Sequence, residues 1–202
     1  MQKSTIKKTF DIKTITKIGL LGAISFVLMY FDIPLWFAPS FYKIDFSEVA
    51  VLMGAFALGP VPGVMIELIK IVLYLLLKGS STGGIGDISN FIIGCAFVVP
   101  AAMVYRRHKS FRSALWGMGA GTACMTVLGS LLNAFVLLPV YAKAFGWPLQ
   151  NLIDMGTALN GNITGLGTFV LFAVVPFNLL KGVLVSLLTI LLYKKASGIL
   201  HR

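Results

Sequence analysis

The chain has 202 residues, of which 57% are hydrophobic and only 12% charged. Soluble globular domains carry charge on roughly a quarter of their residues, so an ordinary water-soluble enzyme is excluded, and the apolar content excludes disorder. Lys and Arg number 17 against 7 Asp and Glu, a formal net charge of +10 that would suit nucleic acid until its placement is known.

Residues 1–14 are polar and basic, with Lys3, Lys7, Lys8 and Lys13. A first helix is predicted over roughly 15–36, ending near Pro34. The apolar run from Ile18 to Phe37 is long for a signal-peptide core and no small-x-small cleavage site follows, so it reads as a retained helix. Asp45 and Ser47 stand where they can cap a second helix, roughly 46–60. Gly59-Pro60-Val61-Pro62-Gly63 is a tight turn, and a third helix covers roughly 63–78. The Gly/Ser-rich loop from Lys78 to Asp87 opens a fourth helix, roughly 87–105, with Asp87 as its expected N-cap. That helix closes on Arg106-Arg107-His108-Lys109. A fifth helix spans roughly 113–138, ahead of Pro139. The mixed stretch 141–165 suits a short interfacial helix, and a sixth spanning helix covers roughly 167–193 before Lys194-Lys195.

The fold class is therefore an all-α integral membrane protein with six transmembrane helices. At about 20 residues per crossing, six take about 120. The remainder leaves no room for a separate soluble domain, so 1–202 reads as one unit. Cys95 and Cys124 lie in apolar runs and read as small buried hydrophobes rather than a disulfide or metal pair. The two halves show no inverted similarity, which argues against a secondary carrier built from repeats.

Placement explains the basic excess. Lys3, Lys7, Lys8, Lys13, Lys17, Arg106, Arg107, Lys109, Arg112, Lys194, Lys195 and Arg202 share one side of a six-crossing topology, 12 of the 17. Lys43, Lys78 and Lys143 fall in the opposite loops, and Lys70 and Lys181 lie within helices. The positive-inside rule puts both termini in the cytoplasm. No continuous basic face with base-reading groups is visible, so nucleic acid is set aside.

The few polar groups inside apolar spans are the informative ones. In Pro176-Phe177-Asn178-Leu179-Leu180-Lys181, Asn178 and Lys181 share a helix face. A charge near the bilayer centre costs about 2.5–3.5 kcal/mol, so Lys181 should face a polar cavity that holds a ligand, or pair with an acid such as Glu67. Asn133, in the fifth helix, reads either as a ligand contact or as an interhelical hydrogen bond. Two amides and an ammonium suit a neutral, hydroxyl-rich ligand. The 15 Phe, 6 Tyr and 3 Trp supply walls for an apolar ring, or an interfacial belt that includes Trp36, Phe37, Phe41 and Tyr42. Glu67 and Lys70, at i and i+3, read as a self-neutralising pair or, less simply, as an ion relay. Asp87 and Asn90 are further ligand candidates. The spacing of Gly19 and Ala23 permits close helix contact. No metal cluster, phosphate loop or nucleophile–base pair is apparent, so the chain reads as a binder and not an enzyme.

These features resemble a known family, the substrate-binding S-components of energy-coupling factor transporters, and within it the riboflavin-specific members. The likeness rests on Asp45-Phe46-Ser47-Glu48, Gly54-Ala55-Phe56-Ala57-Leu58-Gly59-Pro60, Ile66-Glu67-Leu68-Ile69-Lys70, the run from Gly83 to Phe91, and Pro176-Phe177-Asn178-x-x-Lys181. The resemblance implies capture of riboflavin, or flavin mononucleotide, from outside. It also implies docking on a transmembrane coupling protein with two cytoplasmic ATPases. By resemblance, Asn133, Asn178 and Lys181 touch the flavin, Tyr42 and the 38–45 loop cover it, and Asp87 and Asn90 lie nearby. Gly19 and Ala23 resemble the docking face of the first helix, with Gly19 where Ala is usual. The alternatives are an S-component for another vitamin or precursor and a self-sufficient small carrier.

Overall fold

A computed structural model describes residues 11–80 and 82–200. Lys3, Lys7, Lys8, His201 and Arg202 lie outside the described residues. Five helical runs are long and apolar enough to cross a membrane. They are α1 (Ile12–Tyr30), α3 (Pro60–Leu77), α4 (Ile85–Arg107) and two composite runs. In the first composite run, α5 (Phe111–Leu132) passes through a π-helical turn, Asn133–Leu137, into α6 (Leu138–Phe145). In the second, α8 (Leu166–Phe169) passes through another π turn, Val170–Val174, into α9 (Val175–Leu200). The short α7 (Leu149–Thr157) fills the mixed stretch, as its composition predicted.

The remaining helix, α2 (Ser47–Leu58), is only 12 residues long. At 1.5 Å per residue it reaches roughly 18 Å, short of the roughly 30 Å hydrocarbon core. It is not a surface helix either, since nine of its residues are buried, from Ser47 to Phe56. It packs against α1, α3, α4 and α9, and Val51, Leu52 and Ala55 are fully enclosed with Ile66, Phe97 and Val98. The number of full-length spanning helices is thus five among the described residues, with a short helix held inside them.

Helix α1 stops at Tyr30, earlier than the predicted 36. Pro34 restricts Ile33 to extended backbone, and Ile33–Pro34 pairs antiparallel with Lys43–Ile44, Ile33 opposite Ile44. The connection between α1 and α2 is therefore a small hairpin. At the other misjudged boundary, the fifth helix runs on through Pro139 to Phe145. The π turn just before it widens the helix by one residue. That room relieves the clash of the Pro ring with the preceding turn.

The ends of the bundle are distinguishable. A Cβ on Gly59 would stand 3.3 Å from the Arg106 guanidinium, so the α2–α3 turn meets the C-terminus of α4. Tyr105 and Tyr193 hydroxyls join at 2.7 Å and bring α9 to that same end. At the opposite end, Asp32 pairs with Lys43 at 3.1 Å and Lys78 at 3.3 Å, tying the hairpin to the end of α3. Burial pulls the Lys78 ammonium towards neutrality, but hydrogen bonding with Tyr74 and Asp32 outweighs it and holds the pKa above its ordinary value.

Outward-facing positions are apolar, including Leu20, Val27, Leu76, Leu131 and Leu191. Inward positions include Glu48, Glu67, Lys70, Asn133 and Asn178. This inversion of the soluble pattern is what a lipid solvent allows. Glycines make the helix contacts close. A Cβ on Gly117 or Gly121 would fall 2.6 Å and 2.3 Å from the carbonyl oxygens of Ala101 and Phe97, so α5 and α4 touch backbone to backbone. Gly22 sits against Ile69 and Gly182 against Thr122, whereas Gly19 and Gly119 meet nothing within 4 Å. Cys95 is half-buried and Cys124 exposed, both free thiols. The expectation of two buried cysteines fails for Cys124, which points to the surface of α5.

Candidate functional site

Near the Asp32 end of the bundle lies a cavity of about 180 Å³. Tyr42, Asp87, Asn90, Asn133, Asn178 and Lys181, the six residues singled out in the sequence, all line it. They come from four separate regions of the chain, and the fold explains each arrival. Asn133 opens the first π turn, and Asn178 follows the second by one helical turn. The two π turns pack against each other. Both amides also rest on Gly129. Asn133 donates from Nδ2 to the Gly129 carbonyl at 2.7 Å, and a Cβ on Gly129 would stand 3.0 Å from the Asn178 amide nitrogen. Gly129 is thus a positioning residue that the sequence did not flag. Its signal was a glycine four residues before a helical Asn.

The polar inventory is only partly committed. Tyr42 donates its hydroxyl to Asn133 Oδ1 at 2.5 Å. Asn178 donates from Nδ2 to the Val174 carbonyl at 3.0 Å, which leaves Oδ1 as an acceptor. Lys181 donates to Asp45 Oδ2 at 3.1 Å, with Glu48 Oε1 at 3.8 Å. An ammonium has three donors, so Lys181 retains capacity for a ligand oxygen or nitrogen. The two readings of Lys181 are compatible: it is paired, but with Asp45 and not with Glu67. Asn133 likewise makes interhelical contact through Tyr42 and lines the cavity as well.

Asp45 was expected with Ser47 as a cap of α2 and, by resemblance, as the end of the 38–45 covering loop. The N-cap is instead Phe46; Asp45 stands just ahead of it and accepts the Ser47 amide at 2.9 Å and the Ser47 hydroxyl. It also lines the cavity and anchors Lys181. Asp87, likewise, is not the N-cap of α4. Gly84 holds that place with φ 87°, because a left-handed residue is needed there. Asp87 sits in the first turn and accepts a hydrogen bond from Ser80 Oγ. Asn90 is half-buried beside it, one turn along.

Apolar walls complete the site. The ring centroids of Tyr42 and Phe177 are 5.2 Å apart, and those of Phe41 and Tyr42 4.7 Å. Of the aromatic group expected at an interface, Trp36 is 82% exposed and Tyr42 8%, so one serves the surface and the other the cavity. Tyr141, Phe177 and Met29 also face the cavity and were not singled out beforehand. Aromatic and apolar residues are too common in spanning helices for any one to stand out. The arrangement offers an aromatic-walled cavity edged by donors and acceptors. It suits a planar heteroaromatic with polar substituents.

Below the cavity lies a second polar group. Glu67 and Lys70 pair at 2.6 Å, as the i,i+3 spacing predicted, but Glu48 shares the same ammonium at 2.9 Å. On the surface, Gly19 and Ala23 are both exposed on one side of α1.

Known proteins resemble this chain over nearly its whole length. Residues 13–193 match the family model described as ECF transporter, substrate-specific component. The chain is 35% identical to the riboflavin transporter RibU of Staphylococcus aureus (strain TCH60), over 94% of this chain and 93% of that one. It is 32% identical to the riboflavin transporter FmnP of Bacillus subtilis (strain 168), over 91% and 92%. A solved structure reported as "Structure and mechanism of the S component of a bacterial ECF transporter" superposes with a TM-score of 0.73 at 32% identity. The superposition covers 94% of this chain and 98% of that one.

Proposed function

The chain belongs to the substrate-specific components of ECF transporters, and from that premise we propose that it captures riboflavin with high affinity in the cavity beneath the α1–α2 hairpin, for uptake across the membrane. The observation that carries the reading is the convergence of Asn133, Asn178, Lys181 and Tyr42 on one aromatic-walled cavity, in a chain 35% identical to a riboflavin transporter. The isoalloxazine lies against Tyr42, Phe41 and Phe177. Asn178 Oδ1 and the spare donors of Lys181 meet its polar edge. Asp87 and Asn90 are placed for the ribityl hydroxyls. Burying the ring supplies most of the affinity, and the polar groups fix orientation. The chain acts as a transport subunit and carries out no chemistry on its ligand.

We also read the chain as a single unit that passes the membrane six times, α2 with the hairpin serving as the second pass. The meeting of Gly59 with Arg106 at one end, and of Asp32 with Lys43 and Lys78 at the other, supports this parity. The end that carries Arg106 and Arg107 is the cytoplasmic one by the positive-inside rule. Energy comes from partners, a transmembrane coupling protein and two ATPases. They dock on the face of α1 that shows Gly19 and Ala23.

Titration of purified protein with riboflavin, followed by quenching of flavin fluorescence, tests the ligand. The expected result is saturation at one equivalent, with flavin mononucleotide and an unrelated vitamin as comparators. Protein stripped of ligand that leaves the fluorescence unchanged would refute the reading. A separate test addresses docking. Gly19→Leu meets open space within the subunit, so it should leave riboflavin binding within about twofold. Co-purification with the coupling protein should be lost. Retained co-purification would move the docking face elsewhere.

A further inference from the structure

The buried charges under the cavity do not balance. Asp45, Glu48 and Glu67 face Lys70 and Lys181, three carboxyl groups against two ammoniums. Glu48, Glu67 and Lys70 are each no more than 1% exposed. They come from α2 and α3, with α9 bringing Lys181 and α4 bringing Cys95 as the other titratable group nearby. Fully ionised, the cluster would hold one uncompensated negative charge away from water, which is unfavourable.

The oxygens point to how that charge is removed. Glu48 Oε2 and both Glu67 carboxyl oxygens are buried without a hydrogen-bond donor. Lys70 Nζ stands 2.6 Å from Glu67 Oε1, but the direction does not make a hydrogen bond, whereas Lys70 does donate to Glu48. The two Glu side chains nevertheless crowd one ammonium, Lys70 Nζ standing 2.9 Å from Glu48 Oε1 and 2.6 Å from Glu67 Oε1. Two carboxylates are acceptors only, so such crowding repels unless one of them is protonated. Nor can they separate freely. A Cβ on Gly94 would stand 2.4 Å from Glu67 Oε1 and 3.1 Å from Glu48 Oε1, so the α4 backbone presses both into place.

We propose that Glu48 and Glu67 form a proton-binding site, in which one proton is held at neutral pH, carried by Glu67 and donated to Glu48. Glu48 is the anion of the pair because it faces two ammoniums, Lys70 at 2.9 Å and Lys181 at 3.8 Å, while Glu67 faces only Lys70. One proton brings the cluster to neutrality and gives an orphan oxygen its partner. This site is separate from the ligand contacts, since neither Glu lines the cavity. It is joined to them through Lys181, which reaches both.

Infrared spectroscopy of the purified full chain at neutral pH tests the site. Wild-type protein should show the carbonyl stretch of a protonated carboxylic acid, shifted in heavy water. E67Q should lose that band, keep its fold, and bind riboflavin within about twofold of wild type, because Gln is the closest neutral replacement. E48Q should also lose the band, since the remaining Glu then balances the charge as an anion. The double variant E48Q/E67Q leaves an excess positive charge and should lower the thermal midpoint by about 10 °C. Absence of the band from wild-type protein, its persistence in E67Q, or an E67Q chain that fails to fold would each overturn the proposal. Riboflavin binding by wild-type protein is read independently, so failure of the proton site and failure of the ligand assignment are distinguishable.

Discussion

Lys181→Met should weaken riboflavin binding by about 1–3 kcal/mol, roughly 5-fold to 150-fold in Kd. The same change should destabilise the unliganded protein by about 3–5 kcal/mol, because it strands the Asp45 carboxylate in a buried site. These losses have different origins and can be separated. Pairing Lys181→Met with Asp45→Asn removes both charges together, so the thermal midpoint should recover most of its loss. Affinity should not recover, because the donor to the ligand is still missing. Calorimetric titration and a thermal melt on the single and double variants read the two quantities. Recovery of affinity along with stability would show that Lys181 acts only by holding Asp45.

The second large effect is steric. Gly121→Ala places a methyl 2.3 Å from the Phe97 carbonyl oxygen, where backbone and not a flexible side chain blocks it. The helices α4 and α5 must then separate. Overpacking of this kind costs about 1–3 kcal/mol, and more when no side chain can yield. α4 lines the cavity and α5 leads directly into the π turn that carries Asn133, so riboflavin affinity should fall together with the thermal midpoint. Gly119→Ala is the control on the same helix, since its Cβ meets nothing within 4 Å. It should melt within a degree or two of wild type. Equal behaviour of the two variants would mean that α4 and α5 are not in backbone contact.

The sequence revealed the site more fully than it revealed the path of the chain. In an apolar span every polar residue is costly, so Asn133, Asn178 and Lys181 stood out without neighbours, and all three reach the same cavity. Partner identity was harder to read. Lys181 meets Asp45 across 136 positions of sequence, and spacing within a helix gives no hint of such a contact. Glu67–Lys70 was legible because i,i+3 is local, but the third member, Glu48, arrives from another helix. Spanning helices were visible as apolar runs, whereas their irregularities were not. A π turn uses ordinary residues, here Asn133-Ala134-Phe135-Val136-Leu137, and leaves no mark on hydropathy. The Pro139 boundary was misplaced for that reason. Helix α2 was placed within two residues of its observed ends, but its enclosure by the neighbouring helices was not foreseen. Its residues are apolar all round, as either a spanning or an enclosed helix would require.

The paired π turns have a consequence for how this architecture can vary. A π turn is an α-helix with one residue added, and each residue of an α-helix advances the azimuth by about 100°. Each π turn therefore uses five residues for the rotation that about four α-helical residues make, and the extra residue is absorbed inside the turn. Deleting one residue within 134–137 would restore regular winding and leave Tyr141 close to its place on the cavity wall. A deletion within 170–174 would likewise keep Phe177, Asn178 and Lys181 where they are. Elsewhere in these helices the loss of one residue has no such buffer, and it would swing everything that follows by about 100°. The two π turns are thus the places where the chain can change length by one residue without exchanging the lining of the cavity.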